Sequence, residues 1–162
     1  MMPKLYLFRH GLATKSAIGY GEEIVSASLL PQGLPAINKL GEYLSTTQVD
    51  YFVSSLYPRC LQTAEIVSKK TGEKYQTDER LNEYHNISFE EFKRKITYFL
   101  QFIEEKKYQN VWICTHVAVI MAIKKLVVGE DVLESDLFSN LPLPGALTVI
   151  SEKITEEIDF NK

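Results

Sequence analysis

Cysteine and histidine are scarce in this chain: its 162 residues carry two cysteines, Cys60 and Cys114, and three histidines. Both cysteines sit in apolar segments and form no Cys-x-x-Cys pair, so they read as reduced core thiols rather than a disulfide framework. So few soft ligands leave little to build a metal site from, and neither metal nor cofactor is expected. Long apolar runs are missing too. No stretch approaches the roughly 20 apolar residues of a membrane span, and Met1-Met2-Pro3-Lys4 leads into a strand without the apolar stretch of a signal peptide. A cytoplasmic protein with no membrane partner is expected. Basic charge is also in short supply. A net charge of −3 and a pI near 5.7 argue against a nucleic-acid surface, although a local basic pocket fits within an acidic background. There is no internal repeat, low-complexity tract or linker, so residues 1–162 read as one domain. Oligomeric state leaves no signal in the sequence.

What is present is the balance of a globular protein, 45% hydrophobic and 24% charged. Residues 4–8 are nearly all apolar, which suits a strand buried on both faces. The stretch through Leu30, with Gly19, Gly21 and a Glu pair, reads as a loop. Pro31-Gln32-Gly33 opens a helix whose Leu34, Ile37, Leu40, Gly41 and Leu44 share one face. Asp50-Tyr51-Phe52-Val53 is a short strand ending in Ser54-Ser55. Pro58 starts a helix that carries Leu61, Ala64, Ile66 and Val67 to a stop at Gly72. Lys74 to Thr77 is weakly extended. Ser88-Phe89-Glu90-Glu91 has capping-box spacing, and Phe92, Ile96, Phe99, Leu100 and Ile103 give the following helix a 3.6-residue stripe. Val111 to Cys114 is a third buried strand, ended by Thr115-His116. Val117 to Val128 is a buried helix closing at Gly129, and residues 131–145 are irregular. Leu147 to Ile150 and Ile154 to Phe160 form a terminal hairpin with its turn near Glu152-Lys153. Alternating strands and helices point to a layered α/β fold with a mainly parallel sheet.

Ligands of open α/β sheets bind beyond the carboxyl ends of the strands. Three strands end in polar pairs, at Arg9-His10, Ser54-Ser55 and Thr115-His116, and Arg59 on the next helix faces the same rim. Imidazoles there can serve as nucleophile or base, and two guanidiniums suit an oxygen-rich anion such as phosphate.

Four segments carry a resemblance: Arg9-His10-Gly11; Ser55-Leu56-Tyr57-Pro58-Arg59 with Gln62-Thr63-Ala64; Arg80-Leu81-Asn82-Glu83; and Thr115-His116. In this order they resemble the histidine phosphatase superfamily, the phosphoglycerate-mutase-like group, over residue 4 to about residue 150. The resemblance implies a three-layer α/β/α sandwich, here with an antiparallel C-terminal edge hairpin. It implies that His10 attacks phosphorus and is transiently phosphorylated. Arg9, Arg59 and His116 would hold the phosphoryl oxygens, and Glu83 would act as general acid and then base. A carbonyl near Gly11 is expected to fix the tautomer of His10. His85 is read as facing solvent, without a role.

The chain departs from the family after Gly11. Leu12, Ala13, Thr14, Lys15 and Ser16 replace the usual acidic residue and asparagine, so Ser16 or Thr14 is the expected substitute phosphate contact. Val117 and Ala118 stand where glycines are common. The resemblance implies a metal-independent phosphatase with a small phosphorylated substrate. Three alternatives stay open: a protein phosphohistidine phosphatase, a phosphoglycerate-mutase-like phosphotransferase, and a phosphate-pocket binding protein without turnover. The small phosphohistidine branch commonly lacks the Arg-Leu-x-Glu segment, which tilts the reading toward a phosphomonoester. Substrate identity would lie in residues 12–31 and 131–145.

Overall fold

The computed structural model describes residues 1–14, 21–139 and 141–161. Strands and helices alternate along it as β1 (Lys4–Arg9), α1 (Leu34–Leu44), β2 (Tyr51–Ser54), α2 (Pro58–Thr71) and β3 (Gln76–Thr77). Then follow α3 (Phe89–Glu105), β4 (Asn110–Thr115), α4 (Val117–Val127), β5 (Leu147–Ser151) and β6 (Ile154–Ile158). The strands form one sheet in the order β3-β2-β4-β1-β5-β6. β3, β2, β4 and β1 run parallel to one another, whereas β5 joins β1, and β6 joins β5, antiparallel. The sheet is therefore mainly parallel with an antiparallel edge hairpin, as expected.

Successive strand residues face opposite sides of a sheet, and here both sides are apolar. Leu5, Leu7, Val53, Val111 and Ile113 pack with Phe92, Ile96, Phe99 and Ile103 of α3 and with Ala118, Val119 and Ile123 of α4. Tyr6, Phe8, Phe52, Trp112 and Cys114 pack instead with Ile37, Leu40 and Leu44 of α1 and with Cys60, Ala64 and Val67 of α2. Two cores, one on each face, make the three-layer α/β/α sandwich. Each fully buried Leu, Ile or Phe contributes about 1.5–3 kcal/mol through burial.

Local chemistry sets the element ends. Pro58 occupies the first turn of α2, and Gly72 closes that helix in the left-handed region at φ 79°. Ser88 Oγ accepts the Glu91 N–H at 3.1 Å to start α3. Glu152 and Lys153, at φ 50° and 69°, make the two-residue hairpin turn, the signature of type I′. Several boundaries move by one or two residues, β2, β3, β4 and α4 among them. β1 runs on to Arg9, β6 ends at Ile158, and Pro31–Gly33 is a separate 3-10 turn feeding α1. No helix among the described residues is long and apolar enough to cross a membrane.

Candidate active site

The parallel register brings three strand ends level. Arg9 lies opposite Thr115 and Ser54 opposite Cys114, so His10, Ser55 and His116 each stand one residue past a strand. The ladder carries these residues with it. His10 N–H donates to the Thr115 carbonyl at 3.3 Å and Ser55 N–H to that of Cys114 at 3.0 Å. At Gly11 the backbone passes too close to α1 for a side chain: a Cβ there would stand 2.2 Å from Ile37 Cδ1. Gly11 N–H instead donates to Thr63 Oγ1 at 3.0 Å, and Thr63 Oγ1 donates to the Arg59 carbonyl at 2.8 Å. This link ties the first turn of α2 to the end of β1 and carries Arg59 to the rim.

Hydrogen bonds assign both ring nitrogens of His10. Nδ1 donates to the Gly11 carbonyl at 2.8 Å, which is the expected tautomer-fixing contact, and Nε2 accepts Arg59 Nε–H at 3.1 Å. Burial and then the charges of Arg9 and Arg59 hold the pKa of His10 well below the usual histidine value. The ring is thus neutral near pH 7, with its Nε2 lone pair directed at a guanidinium. The His116 ring lies 5.4 Å from it, centroid to centroid, and Tyr57 closes on His116 at 5.2 Å. Burial lowers the His116 pKa as well, followed by His10, Arg59 and Arg9.

Glu83 follows the 3-10 turn Glu79–Leu81, which Thr115 Oγ1 anchors by donating to the Leu81 carbonyl at 2.6 Å. Its carboxyl accepts N–H donors from Tyr84, at 2.9 Å, and from Ala118 in the first turn of α4. Those bonds and the charges of Arg59 and Arg9 favour the carboxylate, but burial outweighs them and pushes its pKa up to about 7. A carboxyl that keeps a substantial share of its proton near pH 7 therefore shares the rim with a neutral imidazole. A cavity of about 90 Å³ beside it, lined by Tyr57, Asn82 and His85 among others, has room for a few water molecules.

The rim is covered. Arg59 is 0% exposed, His116 0%, His10 1%, Glu83 7% and Arg9 8%. Two segments far apart in sequence cap the guanidiniums with backbone carbonyls: Arg9 Nη1 donates to Pro142 at 2.9 Å, and Arg59 Nη1 donates to Ile24. Two further polar atoms, Arg9 Nε and His116 Nδ1, are buried with no hydrogen-bond partner among the described residues. Cationic donors gathered with an orphaned N–H at one buried rim have the chemistry to take an anionic, oxygen-rich group.

Arg9, His10, Arg59, Glu83 and His116 are all brought together. Ser16 and Lys15 lie outside the described residues. Thr14 is engaged elsewhere, its N–H and hydroxyl both directed at the Ser28 carbonyl. Arg80 turns away from the site to pair with Asp78 at 2.6 Å and to lie over the rings of Phe99 and Phe102. His85 is half-buried against the cavity rather than free in solvent, because the turn after Glu83 folds back over α3. Sequence reasoning placed Ser55 at the rim without a role and passed over Thr63 and Asn82, although all three lie within the quoted segments. Spacing marked the segments as meaningful but could not separate ligand-facing from scaffold residues. Among the described residues, no three or more of His, Cys, Asp and Glu gather to hold a metal ion.

A mainly parallel α/β sheet gathers two histidines, two arginines and a carboxyl of raised pKa at its carboxyl rim, the place where open α/β sheets bind ligands. The model of the histidine phosphatase superfamily, branch 1, matches residues 5–90, and the chain belongs to that family. A candidate phosphoserine phosphatase of Hydrogenobacter thermophilus is 25% identical over 79% of this chain and 80% of that protein. Solved structures share the fold, two of them as follows. One, a candidate alpha-ribazole-5′-P phosphatase of Escherichia coli, has a TM-score of 0.80 at 17% identity, over 100% of this chain and 97% of that one. The other, a candidate phosphohistidine phosphatase of Agrobacterium tumefaciens, has a TM-score of 0.67 at 20% identity, over 98% and 97%.

Proposed function

We propose that this protein is a metal-independent phosphatase that hydrolyses a phosphate monoester through a phosphohistidine on His10. The observation that carries the reading is the pairing of two opposite protonation states at one rim. His10 keeps an unprotonated Nε2, which accepts from Arg59, because Nδ1–H is committed to Gly11, while the pKa of Glu83 is raised to about 7. A nucleophile and an acid set in this way need no external base.

His10 Nε2 attacks phosphorus, the bond from phosphorus to the leaving oxygen breaks, and that oxygen takes the Glu83 proton. Glu83, now a carboxylate, accepts a proton from the incoming water as its oxygen attacks phosphorus. The P–N bond then breaks, returning inorganic phosphate, neutral His10 and protonated Glu83. Arg9, Arg59 and His116 would bear the charge on the phosphoryl oxygens once the Pro142 and Ile24 carbonyls give way. Retention of Glu83 favours an alkyl monoester over a phosphoramidate, since an alkoxide leaving group needs the proton more.

Hydrolysis of a chromogenic phosphomonoester, with and without chelator, tests this reading. The expected result is chelator-resistant turnover that is abolished in His10→Ala. In Glu83→Gln it falls about 10²–10⁴-fold for alkyl phosphates and less for nitrophenyl phosphate. Anion binding without turnover would identify a binding protein instead. Preference for phosphohistidine over every monoester would assign the protein-phosphatase alternative, and intact alkyl phosphate hydrolysis in Glu83→Gln would remove Glu83 from the chemistry.

A further inference from the structure

The proton positions around His116 follow from counting donors. Asn82 Oδ1 accepts the Leu56 N–H at 2.9 Å, which fixes the orientation of the amide, because turning it round would set two donors face to face. Ser55 Oγ lies 2.9 Å from the same Oδ1, so its single hydroxyl proton goes to Asn82. The Ser55 lone pairs remain, and one accepts the Tyr57 N–H at 3.2 Å. His116 Nε2 lies 2.8 Å from that oxygen, which has no proton left to offer. Nε2 must therefore be the donor. Cys60 Sγ, at 3.5 Å, is a weak second acceptor for the same N–H. Once Nε2 holds the proton of the neutral ring, the bare lone pair belongs to Nδ1, which is buried without a partner among the described residues. His10 shows the opposite arrangement, with its proton on Nδ1.

We propose that Ser55 and Asn82 are positioning residues that hold His116 as its Nε2–H tautomer, so that Nδ1 takes up a proton from solvent when an anion enters the rim. The proposal rests on the anion site described above but not on turnover. Charged and titratable groups press on His116 from Arg9 and His10 at the end of β1 and from Tyr57, Arg59 and Cys60 at the start of α2, while Glu83 is bonded to the Ala118 N–H at the start of α4. With no anion present the guanidiniums oppose a further positive charge. A dianion offsets them and makes the imidazolium the favoured state. Asn82 lies next to Glu83, so the segment that carries the acid also sets the tautomer of the histidine across the rim.

Two-bond proton–nitrogen correlation spectra of the histidine-labelled protein read the tautomers directly. Without anion at pH 7.5, His116 is expected to show a protonated Nε2 and a bare Nδ1, with His10 reversed. Sulfate, which stays dianionic across this range, should convert His116 Nδ1 to the protonated type. Calorimetry in buffers of different ionisation enthalpy should show about one proton taken up per sulfate bound. Asn82→Ala releases the Ser55 hydroxyl to donate to Nε2, so both tautomers should appear and kcat/KM should fall about 10–100-fold. Ser55→Thr keeps the hydroxyl and should keep the single tautomer. A wild-type His116 with its proton on Nδ1 overturns the proposal, as does Asn82→Ala with an unchanged tautomer. Sulfate that fails to bind, or a sulfate-linked proton that lands on His10, overturns the uptake. The expected tautomers without turnover of any monoester would sink the proposed function and leave this inference standing.

Discussion

Replacing Glu83 by glutamine should remove a loss of stability that develops as pH rises, by an amount that follows from burial of the carboxyl. Its pKa rises from 4.5 in the unfolded chain to about 7 in the folded one. Below about pH 4.5 both states are protonated and the group adds no pH dependence. Between pH 4.5 and 7 folding takes up a proton, so stability falls as pH rises; above pH 7 the folded protein carries the whole cost of a buried carboxylate. A shift of this size corresponds to about 3 kcal/mol. Against a typical total stability of about 5–15 kcal/mol this is a large share. Glutamine keeps an oxygen for the Tyr84 and Ala118 N–H donors and does not titrate. The assay is urea unfolding of both proteins between pH 4.5 and 9. Stability of Glu83→Gln relative to the wild type should climb by about 3 kcal/mol across that range, with its midpoint between pH 5 and 7. The depressed pKa values of His10 and His116 act in the other direction, removing stability as pH falls below about 6.5, but they are common to both proteins and cancel in the difference. A stability difference that stays flat with pH would refute the claim that burial keeps Glu83 protonated.

Gly11→Ala forces a methyl group onto Ile37, and denaturation should show a loss of about 1–3 kcal/mol; adding Ile37→Val, which removes the Cδ1 atom, should recover part of it. Thr63→Val deprives the buried Gly11 N–H of its acceptor, so about 1–3 kcal/mol should disappear together with turnover, whereas Thr63→Ser should restore both. Lys153→Gly removes a side chain from the left-handed turn residue at φ 69°, and thermal unfolding should report a gain of about 0.5 kcal/mol. An unchanged melting temperature there would mean that the hairpin turn carries no strain.

Much of the fold was legible because its causes are local. Apolar runs ending in polar pairs marked β1, β2 and β4, and the stripe from Phe92 to Ile103 marked α3 and its inward face. Pro58, Gly72 and Ser88 mark helix ends by backbone chemistry that acts within a few residues. The end of β6 was less legible, since Asp159 and Asn161 turn the chain by hydrogen bonds that apolar periodicity does not register. Within the candidate site, the polar strand ends alone indicated that His10 and His116 would share a rim. The part played by Arg80 was hidden, because the same guanidinium would suit either an anion or the Asp78 pair it makes.

The sequence by itself determined where strands and helices lie and which residue types end them, since periodicity and capping are properties of neighbouring residues. It determined, too, that imidazole and guanidinium groups would gather at one edge of a parallel sheet. Only the tertiary structure decided what those groups meet there. It set the level of the strand ends, brought the Ile24 and Pro142 carbonyls over the two arginines, and buried Glu83 deeply enough to retain its proton. It also joined Asn82, Ser55 and His116 into one chain of hydrogen bonds. The physical reason is that a buried donor or acceptor is satisfied by whichever segment the fold brings within about 3 Å, however distant in sequence.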